Sequence, residues 1–140
     1  MRYRAATPAD CPLLAQLNHQ LIADEGYKYF QTLPELEERM RAWLAGKYSA
    51  VLFVLGAETV GYALYWEQRD EIYLRHLFVV RHRRRQGIGR GAMEILRRQI
   101  WPPGKRLTVE VLVRNTPAVA FWRAVGYRDY SLKLEIPVVQ

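Results

Sequence analysis

Little in this chain is available for covalent or metal chemistry. Its 140 residues include one cysteine, Cys11, which can form no internal disulfide and has no second thiol with which to share a metal. No metal site is expected, and a reducing compartment fits. No uninterrupted apolar run reaches the roughly eighteen residues of a membrane span, and the opening MRYRAATPAD lacks the apolar stretch of a secretory signal. A cytoplasmic protein with no membrane partner is therefore expected. Acidic residues are also short: 14 Asp and Glu face 21 Lys and Arg, a formal charge of +7. The partner should then be anionic, whether nucleic acid, acidic protein or a phosphorylated small molecule. Repeats, low-complexity tracts and linkers are missing as well. A chain of this length, half of it hydrophobic, is read as one domain, 1–140, around one core.

What is present is a regular alternation of element signals. RYRAA reads as a short strand, and Thr7-Pro8-Ala9-Asp10 supplies a cap, a first-turn proline and an acid for a helix. Leu13, Leu14, Leu17, Leu21 and Ile22 form its apolar face until Gly26. Thr32 caps a second helix with Leu36, Met40, Trp43 and Leu44 on one side and Gly46 as its stop. Val51 to Leu55 and Thr59 to Trp66 predict a hairpin around GAE, and EIYLRHLFVV a third strand in the same meander. Ile88, Ala92, Ile95 and Leu96 return to helical spacing, which PPG ends after Trp101. RLTVEVLV predicts a strand, Thr116-Pro117 opens a helix that Gly126 closes, and YRDYSLKLEI predicts a final strand. The order β-α-α-β-β-β-α-β-α-β implies an α/β (α+β) fold, with about four helices flanking a central mixed sheet.

Between the third strand and the third helix stands VVRHRRRQGIGRGAMEIL, with five basic or imidazole side chains in succession at 81–85 and glycines at 87, 89 and 91. A turn entering a helix presents unpaired backbone N–H groups, and glycine lets an anion approach them without a Cβ in the way. Each such contribution is only about 0.3–1 kcal/mol when exposed, so several amides and flanking arginines must act together. This is not a P-loop, which needs Gly-Lys-Ser/Thr, and the glycine spacing is not the dinucleotide pattern Gly-x-Gly-x-x-Gly.

Arg84-Arg85-Gln86-Gly87-Ile88-Gly89 resembles the Arg/Gln-x-x-Gly-x-Gly/Ala signature of the GNAT N-acetyltransferases, which use acetyl-coenzyme A as cosubstrate. Asn115 and AFWRAVGY resemble that family's second signature, an asparagine followed by a helix ending in aromatic-x-x-x-Gly-Phe/Tyr. The element order is similar too, although many members carry two closing strands where this chain offers one. The resemblance implies that Leu77, Phe78 and Val79 contact the coenzyme's pantetheine arm. It also implies that Arg84, Arg85, Gln86, Gly87, Ile88, Gly89 and Arg90 hold its pyrophosphate, with Asn115, Phe121 and Trp122 completing the coenzyme site.

Transfer to an amine needs a neutral nucleophile and a route for two protons. Glu110 lies within LTVEVLV, a strand apolar on both faces, where a carboxylate's pKa should rise; relatives using a glutamate five residues before the asparagine place a base there. His76, on the face shared by Leu74 and Phe78, is the other candidate base. Relatives commonly place a tyrosine acid where this chain has Trp122, whose indole donates a hydrogen bond but does not release its proton. Tyr127, Tyr130 or water is left to supply it, unless the thiolate leaves unprotonated, and Tyr127 is the catalytic candidate.

Asp24 and Glu25 fall at a helix C-terminus, where negative charge is unfavourable. The resemblance puts the acceptor site in that segment, so these carboxylates are expected to bind an ammonium, with Tyr27, Tyr29 and Phe30 as an apolar wall. The implied acceptor is an amine-bearing small molecule or peptide. A nucleic-acid-binding module would explain the arginines but not Gly87, Gly89 or Asn115. A protein that binds acetyl-coenzyme A without turnover is the other alternative, and the sequence leaves open whether the chain forms a homodimer.

Overall fold

Five strands in the order β1-β2-β3-β4-β5 make one sheet in which every strand neighbours the next in sequence. The structure is a computed structural model that describes residues 1–26 and 31–139. The chain falls into two compact units, Met1–Glu110 and Val111–Gln140.

In the first unit, β1 (Arg2–Ala5) pairs antiparallel with β2. Thr7 and Asp10 close a capping box around a single 3₁₀ turn at Pro8–Asp10, which leads into α1 (Cys11–Glu25). Asp10 is also gripped by both arms of the Arg4 guanidinium, at 2.7 and 2.9 Å. Helix α1 buries Cys11, Leu14, Ala15, Leu17 and one polar residue, Asn18, and ends at Gly26, whose φ of 76° is the left-handed conformation of a helix stop. In α2 (Leu33–Ala45), Thr32 and Glu35 form the reciprocal cap expected of that pair, and Leu36 and Met40 are buried.

The meander follows as β2 (Tyr48–Leu55), β3 (Glu58–Glu67) and β4 (Glu71–Val79), all antiparallel. Six consecutive residues of β3, Val60 to Tyr65, are buried, the pattern of a strand covered on both faces. Gly61 is required by contact: a Cβ there would lie 2.2 Å from the Phe78 carbonyl oxygen. Helix α3 (Ile88–Ile95), prolonged by a π-helical turn at Leu96–Ile100, crosses over to β5 (Arg106–Val109), which pairs parallel with β4.

Strand β5 is shorter than RLTVEVLV predicts. Register explains this: β4 bulges at Arg75, with Leu64 opposite His76 but Tyr65 opposite Leu74, and the β4–β5 ladder ends at Leu74–Val109. In the second unit, α4 (Thr116–Ala124) starts at Asn115, whose Oδ1 accepts from the Ala118 amide at 3.3 Å. The predicted final strand is not found: 128–139 has no regular structure. Leu132, Leu134 and Ile136 alternate as a strand would, yet all are exposed and no other strand lies beside them among the described residues. Propensity without a pairing partner makes no ladder.

Among the described residues, no helix is long and apolar enough to cross a membrane, and no group of three or more His, Cys, Asp or Glu could hold a metal.

Candidate active site

Two features of β4 define the site. Beyond Leu74 the strand keeps β3 on one side but loses β5 on the other, so the backbone of 76–79 has one edge without a strand partner among the described residues. Phe78 is buried while Leu77 and Val79 are half-buried. That edge runs directly into the basic, glycine-containing turn.

Arg84 folds back on the strand it follows. Its Nε donates to the Val79 carbonyl at 2.9 Å, and its guanidinium carbon lies 5.4 Å from the centre of the Phe78 ring. Two residues then take left-handed backbone, Arg85 at φ 63° and Gly87 at φ 76°, and Gly87 is the N-cap of α3. Nothing lies within 4 Å of where a Gly87 Cβ would be. The amides of Ile88, Gly89 and Arg90 belong to the first turn of α3 and have no intrahelical acceptor.

The basic run is not a free positive stripe. Arg81 and Arg84 both hydrogen-bond Asp24, the former at 2.8 Å, while His82 and Arg83 both contact Glu58. Burial pushes the Asp24 carboxyl up, but the Arg84 and Arg81 hydrogen bonds outweigh it and hold the group below the usual carboxylate range. The charge pattern at 81–85 hid this, because both acids come from remote elements. Asp24 is thus committed to the turn, whereas Glu25 is half-buried and has no ion pair among the described residues; burial, and then Asp24, push its carboxyl up. Tyr27, Tyr29 and Phe30 lie outside the described residues.

His76 sits in a polar cluster that reading by sequence did not assemble. Its Nδ1 is 3.0 Å from the Tyr62 hydroxyl, and its ring meets Trp43 edge-on at 5.5 Å. Burial, with Arg39 and Arg75 adding repulsion, pushes the imidazole down to about 3; burial pushes the Tyr62 hydroxyl up. Asn18 and Arg39 are joined at 2.7 Å beside them. A signal existed: Asn18 stands four residues after Leu14 on the buried face of α1, where a polar side chain needs a partner.

The expected setting of Glu110 is corrected. It lies just past the end of β5 and is exposed, because the β4–β5 ladder has already ended at Val109. The carboxylate is close enough to Tyr73 to help burial push that hydroxyl up. His76 and Glu110 both follow the last β4–β5 pair, but the charges that act on the His76 ring come from Arg39 and Arg75. Tyr127 belongs to the second unit, where Trp122 stacks edge-on against Phe121 at 5.0 Å and against Tyr127 at 5.4 Å.

A profile of the acetyltransferase (GNAT) family matches residues 15–127. The chain belongs to that family. Among solved structures, this GNAT-family chain is similar to a mutant protein from Bacillus halodurans, at 24% identity and TM-score 0.81 over 99% of this chain and 100% of that one. It is similar to an acetyltransferase from Thermus thermophilus, at 27% identity and TM-score 0.75 over 91% and 88% of the two chains. An aminoglycoside acetyltransferase from an uncultured soil metagenomic sample, in complex with sisomicin, shares 18% identity and TM-score 0.75 over 99% and 95%. No curated protein matches the chain in sequence. The GNAT profile runs across both compact units, and the mixed five-stranded sheet with four helices is the GNAT fold.

Proposed function

We propose that residues 1–140 form one acetyl-coenzyme A-dependent N-acetyltransferase, which moves an acetyl group to a primary amine of a small molecule or peptide. The observation that carries this reading is the edge of β4 that has no strand partner among the described residues, where Arg84 holds the Val79 carbonyl, leading into the Gly87-capped start of α3. An extended amide-bearing arm can add to such an edge as a further strand does, and a pyrophosphate suits a helix N-terminus. The residues present fit the coenzyme: space is open beside Gly87, and Arg85 has no ion pair among the described residues. Leu77, Phe78 and Val79 would hold the arm, and Arg84, Arg85, Gln86, Gly87, Ile88, Gly89 and Arg90 the phosphates. In the second unit the Asn115 oxygen caps α4, and its part in this reading rests on the resemblance of the sequence around it. When bound, the coenzyme supplies an activated acyl group.

The protein's own residues would manage the protons. An alkylammonium has a pKa near 10, so passing its proton to an imidazole at about 3 is uphill by roughly 9 kcal/mol. His76 is therefore a poor base, and its proposed part is to hold Tyr62 and its neighbours as a neutral group. Glu110, exposed to water where β4 and β5 part, is the proposed base acting with solvent. Tyr127 beside Trp122 is the proposed acid, because indole does not give up its proton at ordinary pH.

Thioester consumption over a panel of amines tests the proposal. Acetylation of at least one amine is expected, with Glu110→Gln lowering kcat by about 10²-fold or more and leaving coenzyme affinity intact. Tight coenzyme binding with no turnover on any amine would instead favour a protein that senses acetyl-coenzyme A.

A further inference from the structure

Two guanidinium groups converge on one indole. Arg39 of α2 has its guanidinium carbon 4.6 Å from the Trp43 ring centre, and Arg75 at the β4 bulge has its own 4.8 Å from that ring. Neither forms an ion pair among the described residues. Burial, then the charge of Arg75, lowers the proton affinity of Arg39, which shows that each cation lies within the other's field. Like charges are not gathered this way for stability alone.

The donors beneath them are also in surplus. Arg39 Nη2 donates to Asn18 Oδ1, but Arg39 Nε is buried without an acceptor. Asn18 is wholly buried, and its Nδ2 has no acceptor of normal geometry, though it lies close enough to the Tyr62 oxygen to favour its ionised form. Leaving a buried donor unpaired costs about 1–3 kcal/mol. Arg75 Nη1 donates to the Tyr48 hydroxyl at 3.4 Å and the Glu25 charge reaches Tyr62. Among the described residues, however, neither guanidinium has an ion-pair partner, so two cations and unpaired buried donors still outnumber the acids here, which is the complement of a carboxylate. Its position is apt: Arg75 and His76 directly follow Leu74, the last residue of β4 paired to β5.

We propose that the acceptor amine also carries a carboxylate, as amino acids do, and that Arg39 and Arg75 bind that carboxylate beside Trp43. This rests on the N-acetyltransferase reading above, and it excludes a polycationic amine as the preferred acceptor.

Matched pairs of amino acids and their amides, such as leucine and leucinamide, supply the test. With acetyl-coenzyme A, the acid of a pair should exceed its amide in kcat/KM by about 10- to 100-fold. Arg75 is exposed, so Arg75→Gln should fold and abolish the preference, and Arg75→Lys should restore part of it because the charge returns without the planar fork. Equal rates for acid and amide, or a preference that survives Arg75→Gln, would overturn the inference and leave the transferase reading standing. Calorimetric titration of the protein with coenzyme A needs no turnover: the acid should bind more tightly than the amide, and Arg75→Gln should erase the difference. Such binding with no acetylation would uphold the carboxylate site while the transferase reading fails; binding that does not distinguish acid from amide overturns the site.

Discussion

Asp24 at the end of α1 accepts a hydrogen bond from Arg84 of the glycine turn, across 60 residues of sequence. The acid expected to meet the acceptor is thereby tied to the glycine turn instead, and Arg81 shares it.

The effect of removing this acid should follow that tie. Asp24→Asn leaves a hydrogen-bond acceptor in place but removes a negative charge from beside the turn. Coenzyme affinity should rise by about two- to fivefold at low ionic strength, and the gain should fade as salt screens it. The acceptor's KM should stay unchanged. Coenzyme titrations at low and high salt, with acceptor kinetics alongside, decide this; a raised acceptor KM with unaltered coenzyme affinity would return Asp24 to the acceptor site.

Gly89→Asp should cut coenzyme affinity at least tenfold. The change puts a carboxylate on the first turn of α3, where a phosphate is proposed to lie, and like charges there repel. Circular dichroism establishes folding, and equilibrium binding reads the loss; wild-type affinity in a folded variant would remove the turn from the coenzyme site.

His76 makes stability depend on pH in an unusual window. Its folded pKa, about 3, is below the ordinary 6.5, so below pH 6.5 the unfolded chain takes up a proton that the folded chain refuses. The contribution is present above the unfolded value and is lost as pH falls toward 3, at up to about 1.4 kcal/mol per pH unit. Urea denaturation of wild type and His76→Gln between about pH 4 and pH 7 should show a steeper decline in the wild type. Parallel declines would mean that another group carries the dependence. The rate profile of kcat should show no titration near 6.5 from this residue.

Gly61→Ala should destabilise the first unit by about 3 kcal/mol. The clashing atom is the backbone oxygen of Phe78, 2.2 Å from the added Cβ, so no side chain can turn aside to relieve it. Strand β3 or β4 must move. Denaturant melts check the stability, and coenzyme affinity should fall with it, since the displaced edge is the one proposed to hold the arm.

Much of this molecule was decided within short stretches of chain. The Thr32–Glu35 cap, the stop at Gly26, the meander and the strand-turn-helix around Gly87 each depend on residues a few positions apart, and the sequence alone determined them. Only the tertiary structure decided the rest. The bulge at Arg75 ends the β4–β5 ladder at Val109, which shortens β5 and leaves Glu110 in water. The alternation through Leu132, Leu134 and Ile136 states a preference for a strand, but a strand exists only where a second edge accepts its hydrogen bonds. Asp24 meets Arg81 and Arg84, and Arg75 meets the Trp43 ring that Arg39 also covers, across tens of residues. Charge and burial at those places are set by which remote side chain arrives, and residue spacing along one element carries no record of that.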